Sequence, residues 1–148
     1  MVAVSESITV GRPPAAVFAY LDQPEHHAVV TPSLAESEPV ETLDNGGKRV
    51  RYVYRMAGIS REGQLTETVH ETGRRMCFEL SGGITGEIDI TLEPVEEGTE
   101  VTYSAAYDLP GRVVAAVAKP LARRFNRRQL QQTLGNLKTE LEADPATA

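Results

Sequence analysis

The sequence predicts an α+β fold: one curved antiparallel sheet of about seven strands, two short helices after the first strand, and a long C-terminal helix. Three observations predict it. Runs of alternating apolar and polar residues, separated by glycine-bearing turns, fill the middle of the chain. A proline-started apolar stretch follows the first strand. After Pro110-Gly111 the period of two gives way to a helical period that runs to about Glu142.

Ser5 to Val10 alternates, with Ile8 and Val10 on one face. Pro13-Pro14 then opens a short helix over about Ala15–Leu21, in which Val17, Phe18 and Leu21 share one side. Asp22 is placed to cap a second short helix that starts near Pro24 and ends by Thr31-Pro32, because the residue before proline avoids the helical region. Six strands are read between Ala35 and Leu109. Asp44-Asn45-Gly46-Gly47, Glu71-Thr72-Gly73, Ser81-Gly82-Gly83 and Glu96-Glu97-Gly98 mark turns, and Gly58 and Gly63 flank a bend. One helix over one face of an antiparallel sheet is an α+β layout. A single domain over 1–143 is expected, with 144–148 a frayed tail.

Composition narrows the function classes. At 148 residues and 41% apolar, the chain has material for one ordinary core. No apolar run approaches the roughly 20 residues of a spanning helix. The N-terminus has neither a basic region nor an apolar core of a signal peptide, so a cytoplasmic location is expected. The single cysteine, Cys77, excludes an internal disulfide and reads as a small apolar residue between Met76 and Phe78. A net charge of −6 argues against nucleic acid as a partner. Charge is unevenly spread: residues 1–110 balance at −10 and residues 111–148 at +4.

The order of elements resembles that of the START-like (SRPBCC) superfamily, and within it the polyketide cyclase/dehydrase-type proteins. Two stretches carry the resemblance. The opening, Ile8 through Asp22, is a strand leading into a proline-started helix that bears Val17-Phe18 and ends on aspartate. The closing stretch runs from Leu130 through Leu134 and from Leu137 to Glu142. The family's commonest form carries a tryptophan shortly after the first helix. Here that region reads Glu25-His26-His27-Ala28-Val29-Val30, and the chain has no tryptophan. The resemblance implies a helix-grip fold: the sheet wraps the long helix and leaves an internal cavity. Members bind lipids, sterols, quinones or polyketides, and a minority are enzymes.

Strand parity then predicts the wall of that cavity: Tyr52, Tyr54, Met56, Phe78, Ile88, Ile90, Tyr103 and Tyr107, with Leu121 or Phe125 closing one side. Its expected size is that of ordinary ligand pockets, about 300–1,000 Å³. A tyrosine on an apolar face brings a hydroxyl that needs a partner, either a core carbonyl, a water or a ligand. The faces read as inward carry almost no ionisable side chain, which argues against catalysis, and no catalytic residue is assigned.

No cofactor is called for, since the chain lacks a phosphate-cradling glycine loop and the HExxH pattern. No metal site is called for either. Adjacent His26 and His27 point about 100° apart on a helix, and His70 reads as a solvent-facing strand residue. One of the paired histidines reaching the cavity mouth as an acid or base is the catalytic alternative.

The C-terminal helix poses a separate problem. Val114, Val117, Leu121 and Phe125 form one apolar arc; Leu130, Leu134, Leu137 and Leu141 form another, nearly opposite. A kink at Pro120 would reconcile them. Otherwise residues 112–128, with Arg123, Arg124, Arg127 and Arg128, form a lid, a membrane-docking surface or a protein contact. Three functions therefore stand: binding or carriage of a hydrophobic small molecule (lipid, quinone, isoprenoid or polyketide-like), cyclisation or dehydration of a polyketide-like substrate, and docking through residues 112–128. A monomer or weak homodimer is expected.

Overall fold

The computed structural model describes residues 2–56, 59–108 and 119–143; the side chains of Val2, Met56, Ile59, Tyr107 and residues 119–123 are outside that description. The elements follow in the order β1 (Val2–Val10), α1 (Pro14–Leu21), α2 (Pro24–Val30), β2 (Leu34–Thr42), β3 (Lys48–Met56), β4 (Ile59–Glu71), β5 (Arg75–Gly82), β6 (Thr85–Val95), β7 (Gly98–Asp108) and α3 (Lys119–Glu142). The seven strands form one antiparallel sheet in the order β1-β7-β6-β5-β4-β3-β2. Each hairpin joins sequence neighbours from β2 to β7, and β1 returns to pair with β7. This is the helix-grip arrangement: α1 and α2 fill the gap between β1 and β2, and α3 packs along β1 and α2.

Local chemistry explains the breaks. Pro14 and Pro24 each sit in the first turn of a helix, where a missing N–H is harmless. Between β2 and β3 the turn is set by Asn45, whose side-chain oxygen accepts a hydrogen bond from the Gly47 N–H at 2.8 Å. Gly46 there takes φ +87°, the left-handed region that glycine enters without steric cost.

Three local expectations are corrected. Asp22 does not cap α2; it ends α1, and its carboxylate turns to Lys48 at 3.2 Å. Gly63 makes no bend: β4 runs through it unbroken, paired to Tyr52 on one side and Gly82 on the other. It is needed for a different reason. A Cβ at Gly63 would lie 2.5 Å from the Tyr52 hydroxyl and 2.3 Å from the Ser81 carbonyl oxygen. The Tyr52 ring therefore crosses β4 where only glycine leaves room. Finally, α3 is helical from Lys119 through Pro120 to Glu142, so Pro120 does not separate 121–128 from the leucine-bearing half. Gly58, the arc at Val114 and Val117, and the tail 144–148 lie outside the described residues.

The core lies between sheet and α3. Val10, Val17, Met76, Ile90 and Val101 are fully buried, and Leu130, Leu134, Leu137 and Leu141 of α3 close over them. Polar clamps fix the C-terminal half of α3 to the end of β1. Lys138 Nζ donates to the Thr9 carbonyl at 2.8 Å, Gly11 N–H donates to Glu142 at 2.9 Å, and Arg12 donates to the Leu141 carbonyl at 3.0 Å. Asn136 donates to the Val30 carbonyl at 2.9 Å and ties in α2. No helix among the described residues is long and apolar enough to cross a membrane.

Candidate functional site

Toward its N-terminal half, α3 stops touching a filled core. Between it and the sheet lies a partly enclosed cavity of about 100 Å³. Strands β3 to β7 supply Tyr52, Tyr54, Leu65, Leu80, Ile88, Tyr103 and Ala105, and α3 supplies Asn126, Gln129, Leu130 and Thr133. His27 of α2 and Thr31 and Leu34 complete the near side. No Asp, Glu, Lys or Arg is on this wall among the described residues. The volume is well under the expected few hundred Å³ and suits a ring-sized group; a buried cavity of about 150 Å³ accommodates benzene.

Parity places Tyr52, Tyr54, Ile88 and Tyr103 on the wall. Phe78 lines a smaller adjoining void with Ile88, Tyr103 and His27. Ile90 belongs to the packed core instead, one step deeper on β6. Phe125 is corrected as well: it is 40% exposed and points off this wall. Met56, Tyr107, Leu121 and Arg123 have side chains outside the described residues. Arg124 and Arg128 are exposed, and Arg127 lies 3.5 Å from Glu6 of β1.

The tyrosines play different parts. Tyr52 is structural: its hydroxyl accepts from the Ile84 N–H at 3.2 Å and reaches the Ile84 carbonyl at 3.3 Å. Tyr54 interacts with the Ser33 side chain, and the Ser33 hydroxyl donates to Gln129 Oε1 at 2.8 Å. Tyr103 makes no hydrogen bond among the described residues. Burial pushes the phenols of Tyr54 and Tyr103 above their ordinary value, so both are neutral donors at any physiological pH.

His27 reaches the wall, as the catalytic alternative requires. Its Nε2–H donates to the Leu21 carbonyl at 2.7 Å, and its ring meets Phe78 edge-on. Burial, the first cause, holds its pKa below the usual histidine value, so the imidazole is neutral. With Nε2 committed as a donor, Nδ1 carries the lone pair. His26 instead stacks on Tyr20 and bonds to the Tyr20 carbonyl.

Sequence reasoning missed two groups. The first is a buried polar cluster beside the cavity. Glu67, 3% exposed, accepts from the Lys48 backbone N–H at 3.1 Å and pairs with His70 Nδ1 at 2.8 Å. His70 therefore faces inward, packed edge-on against Phe18, and not toward solvent. The cause is a register shift between Glu67 and Val69, which reverses the parity of the strand's end. Asp22, Glu67 and His70 bring ligand atoms within 4.8 Å of one another. The Lys48 ammonium already sits on that Asp22 carboxylate, so the cluster works as an ion network.

The second missed group is Asn126. It is 1% exposed, and neither its amide oxygen nor its amide nitrogen has a hydrogen-bond partner among the described residues. Its signal was in the sequence, because Asn126 stands one turn before Leu130 on the same stripe as Leu134, Leu137 and Leu141.

The sequence matches the family model for polyketide cyclase/dehydrase and lipid transport over residues 1–142. The chain belongs to this family. Solved structures share its fold. A protein from Thermus thermophilus superposes with a TM-score of 0.80 at 19% identity, over 96% of this chain and 97% of that one. A START superfamily protein from Mycobacterium smegmatis gives 0.78 at 14% identity, over 95% and 97%. A conserved protein from Geobacillus kaustophilus gives 0.79 at 15% identity, over 96% of each chain. No curated protein is matched by the sequence. The chain thus combines the sequence of the polyketide cyclase/dehydrase and lipid transport family with the fold seen in a START superfamily protein.

Proposed function

We propose that the protein binds or carries a hydrophobic small molecule (a lipid, quinone, isoprenoid or polyketide-like compound) and seats a ring-sized part of it beneath α3. The observation that carries this reading is a cavity with a mainly apolar wall and no charged side chain among the described residues, in a chain otherwise able to fill its core. An empty apolar void costs stability, so its retention points to an occupant. Native mass spectrometry of the protein purified from its own host should show a retained small molecule. Ala105→Leu, which adds bulk to the wall, should remove it while leaving the circular dichroism spectrum intact. A molecule held equally by both forms, or none held by either, would sink the proposal.

A second reading, cyclisation or dehydration of a polyketide-like substrate, is favoured by one observation: His27 is a neutral imidazole on the cavity wall with a free lone pair. There the protein would act mostly by folding a flexible chain into a reactive shape, with His27 as base. Multiple turnover of a poly-β-ketone, lost in His27→Ala, would support it. Stoichiometric binding without turnover returns the protein to carriage.

A further inference from the structure

We propose that Asn126 is the ligand's polar anchor, and that the part of the ligand seated in the cavity is an uncharged, ring-sized apolar body bearing a hydroxyl group. The inference rests on the binding role proposed above and names the chemistry it selects.

Asn126 sits on α3 where the helical stripe below it is leucine at every turn, and where leucine would fill the space without penalty. Instead an amide is buried with both of its polar atoms unpaired among the described residues. Such groups are rare in folded proteins, because each loses its water without gaining a partner. Neighbours on the wall do not supply one. Gln129 Oε1 is taken by Ser33, and the Thr133 hydroxyl donates to the Gln129 carbonyl at 2.9 Å. The Tyr103 hydroxyl, on the same wall, is also without a bond among the described residues. The described wall thus holds a donor-and-acceptor amide and a phenol, both unused among the described residues, beside the uncharged polar side chains of His27, Thr31, Gln129 and Thr133.

The ligand's chemistry follows by elimination. A carboxylate or phosphate would be buried with no cation on the described wall to balance it, and an amine would meet no carboxylate there. A plain hydrocarbon would leave the amide orphaned. A ketone could accept from Nδ2 and would leave Oδ1 unmet. A hydroxyl both donates and accepts, and answers both atoms. The volume limits the part of the ligand seated there to about one ring.

Phenol and toluene test this, since they share a shape and differ in the hydroxyl. Their dissociation constants are measured by ligand-observed NMR for the wild type and for Asn126→Leu. The wild type should favour phenol, relative to the variant's own phenol/toluene ratio, by about tenfold. The side-chain amide signals of Asn126 in the wild type should shift with phenol and stay in place with toluene. That second readout serves even if the variant does not fold. An identical ratio in both proteins, or unmoved amide signals, overturns the anchor while toluene binding keeps the cavity. Failure of both probes to bind the wild type overturns the anchor and the binding role together.

Discussion

The two halves of α3 are one helix solving two problems. From Leu134 to Leu141 it presents leucines to Val10, Leu92 and Val101, and four polar contacts clamp it to β1 and α2. From Asn126 to Thr133 the same stripe presents an amide, a carboxamide and a hydroxyl to a void. There its ties to β1 are looser: Gln131 to Glu6 at 3.4 Å and Arg127 to Glu6 at 3.5 Å, both at the surface. Exposed pairs of this kind contribute little. The contrast teaches where stability and function are separated. One half is filled, apolar and bolted down; the other gives up packing for a site.

Breaking the filled half should have the largest effect. Leu137 is 2% exposed, and Leu137→Ala removes a fully buried side chain from a core with no slack. Urea unfolding should show a loss of about 3 kcal/mol. A loss under about 1 kcal/mol would mean that this half is as loosely packed as the other.

Gly63→Ala tests the sheet wall of the cavity. The new methyl meets a backbone oxygen and the Tyr52 hydroxyl together, and neither can move without breaking the β4–β5 pairing or the Tyr52–Ile84 bonds. Overpacking of this kind costs about 2 kcal/mol. Tyr52→Phe combined with Gly63→Ala should recover part of the loss, because the hydroxyl is one of three obstacles, beside the Tyr52 ring carbon Cζ and the Ser81 carbonyl oxygen. No recovery in the double variant would place the cost on the ring at position 52 and the Ser81 carbonyl, and not on the hydroxyl.

The same contrast explains what was legible beforehand. The fold was legible because it is written in periods: two along β3, β5, β6 and β7, and helical from Leu130 to Leu141. The tyrosine wall followed from parity, which holds wherever strands pair without a bulge. His70 escaped because one register shift after Glu67 inverts parity at the end of β4, and nothing in the local sequence marks it; Glu67 shares the inward parity of Leu65 and was legible by position. Phe125 lies off the wall because α3 is oriented by its leucine stripe, which leaves the arc of Phe125 outside. Asn126 was readable in position and overlooked in kind. A polar residue on an apolar stripe looks like noise until its partners are counted.

Asn126→Leu should sharpen the comparison by making the second half resemble the first. An orphaned amide is exchanged for an apolar side chain of similar size, so urea unfolding should show a gain of about 1 kcal/mol. Gain of stability with loss of phenol selectivity is the expected signature of a site maintained against packing. A loss of stability would show that the amide has a structural partner in solution.

The smallest expected effect is one of pH, and it again separates the halves through His27. Burial lowers the pKa of this imidazole in the folded protein, opposed by its bond to Leu21 and by Asp22 and reinforced by His26. In the unfolded chain it titrates near its usual value of about 6.5. As pH falls through that value the unfolded state takes up a proton that the folded state refuses, so stability declines with acidification over this window. Above about pH 7.5 the ring is neutral in both states and contributes no slope. The depressed carboxyl groups of Asp89 and Glu142 act the same way but only from the ordinary carboxylate range downward, so they leave this window clear. The check is the urea midpoint at about pH 7.5 and about pH 5.5, either side of that value, for the wild type and for His27→Gln, which keeps a donor for the Leu21 carbonyl without a titrating ring. The wild type should lose more than the variant. Equal losses would assign the slope to other groups and would mean that the His27 ring is not held neutral on the cavity wall.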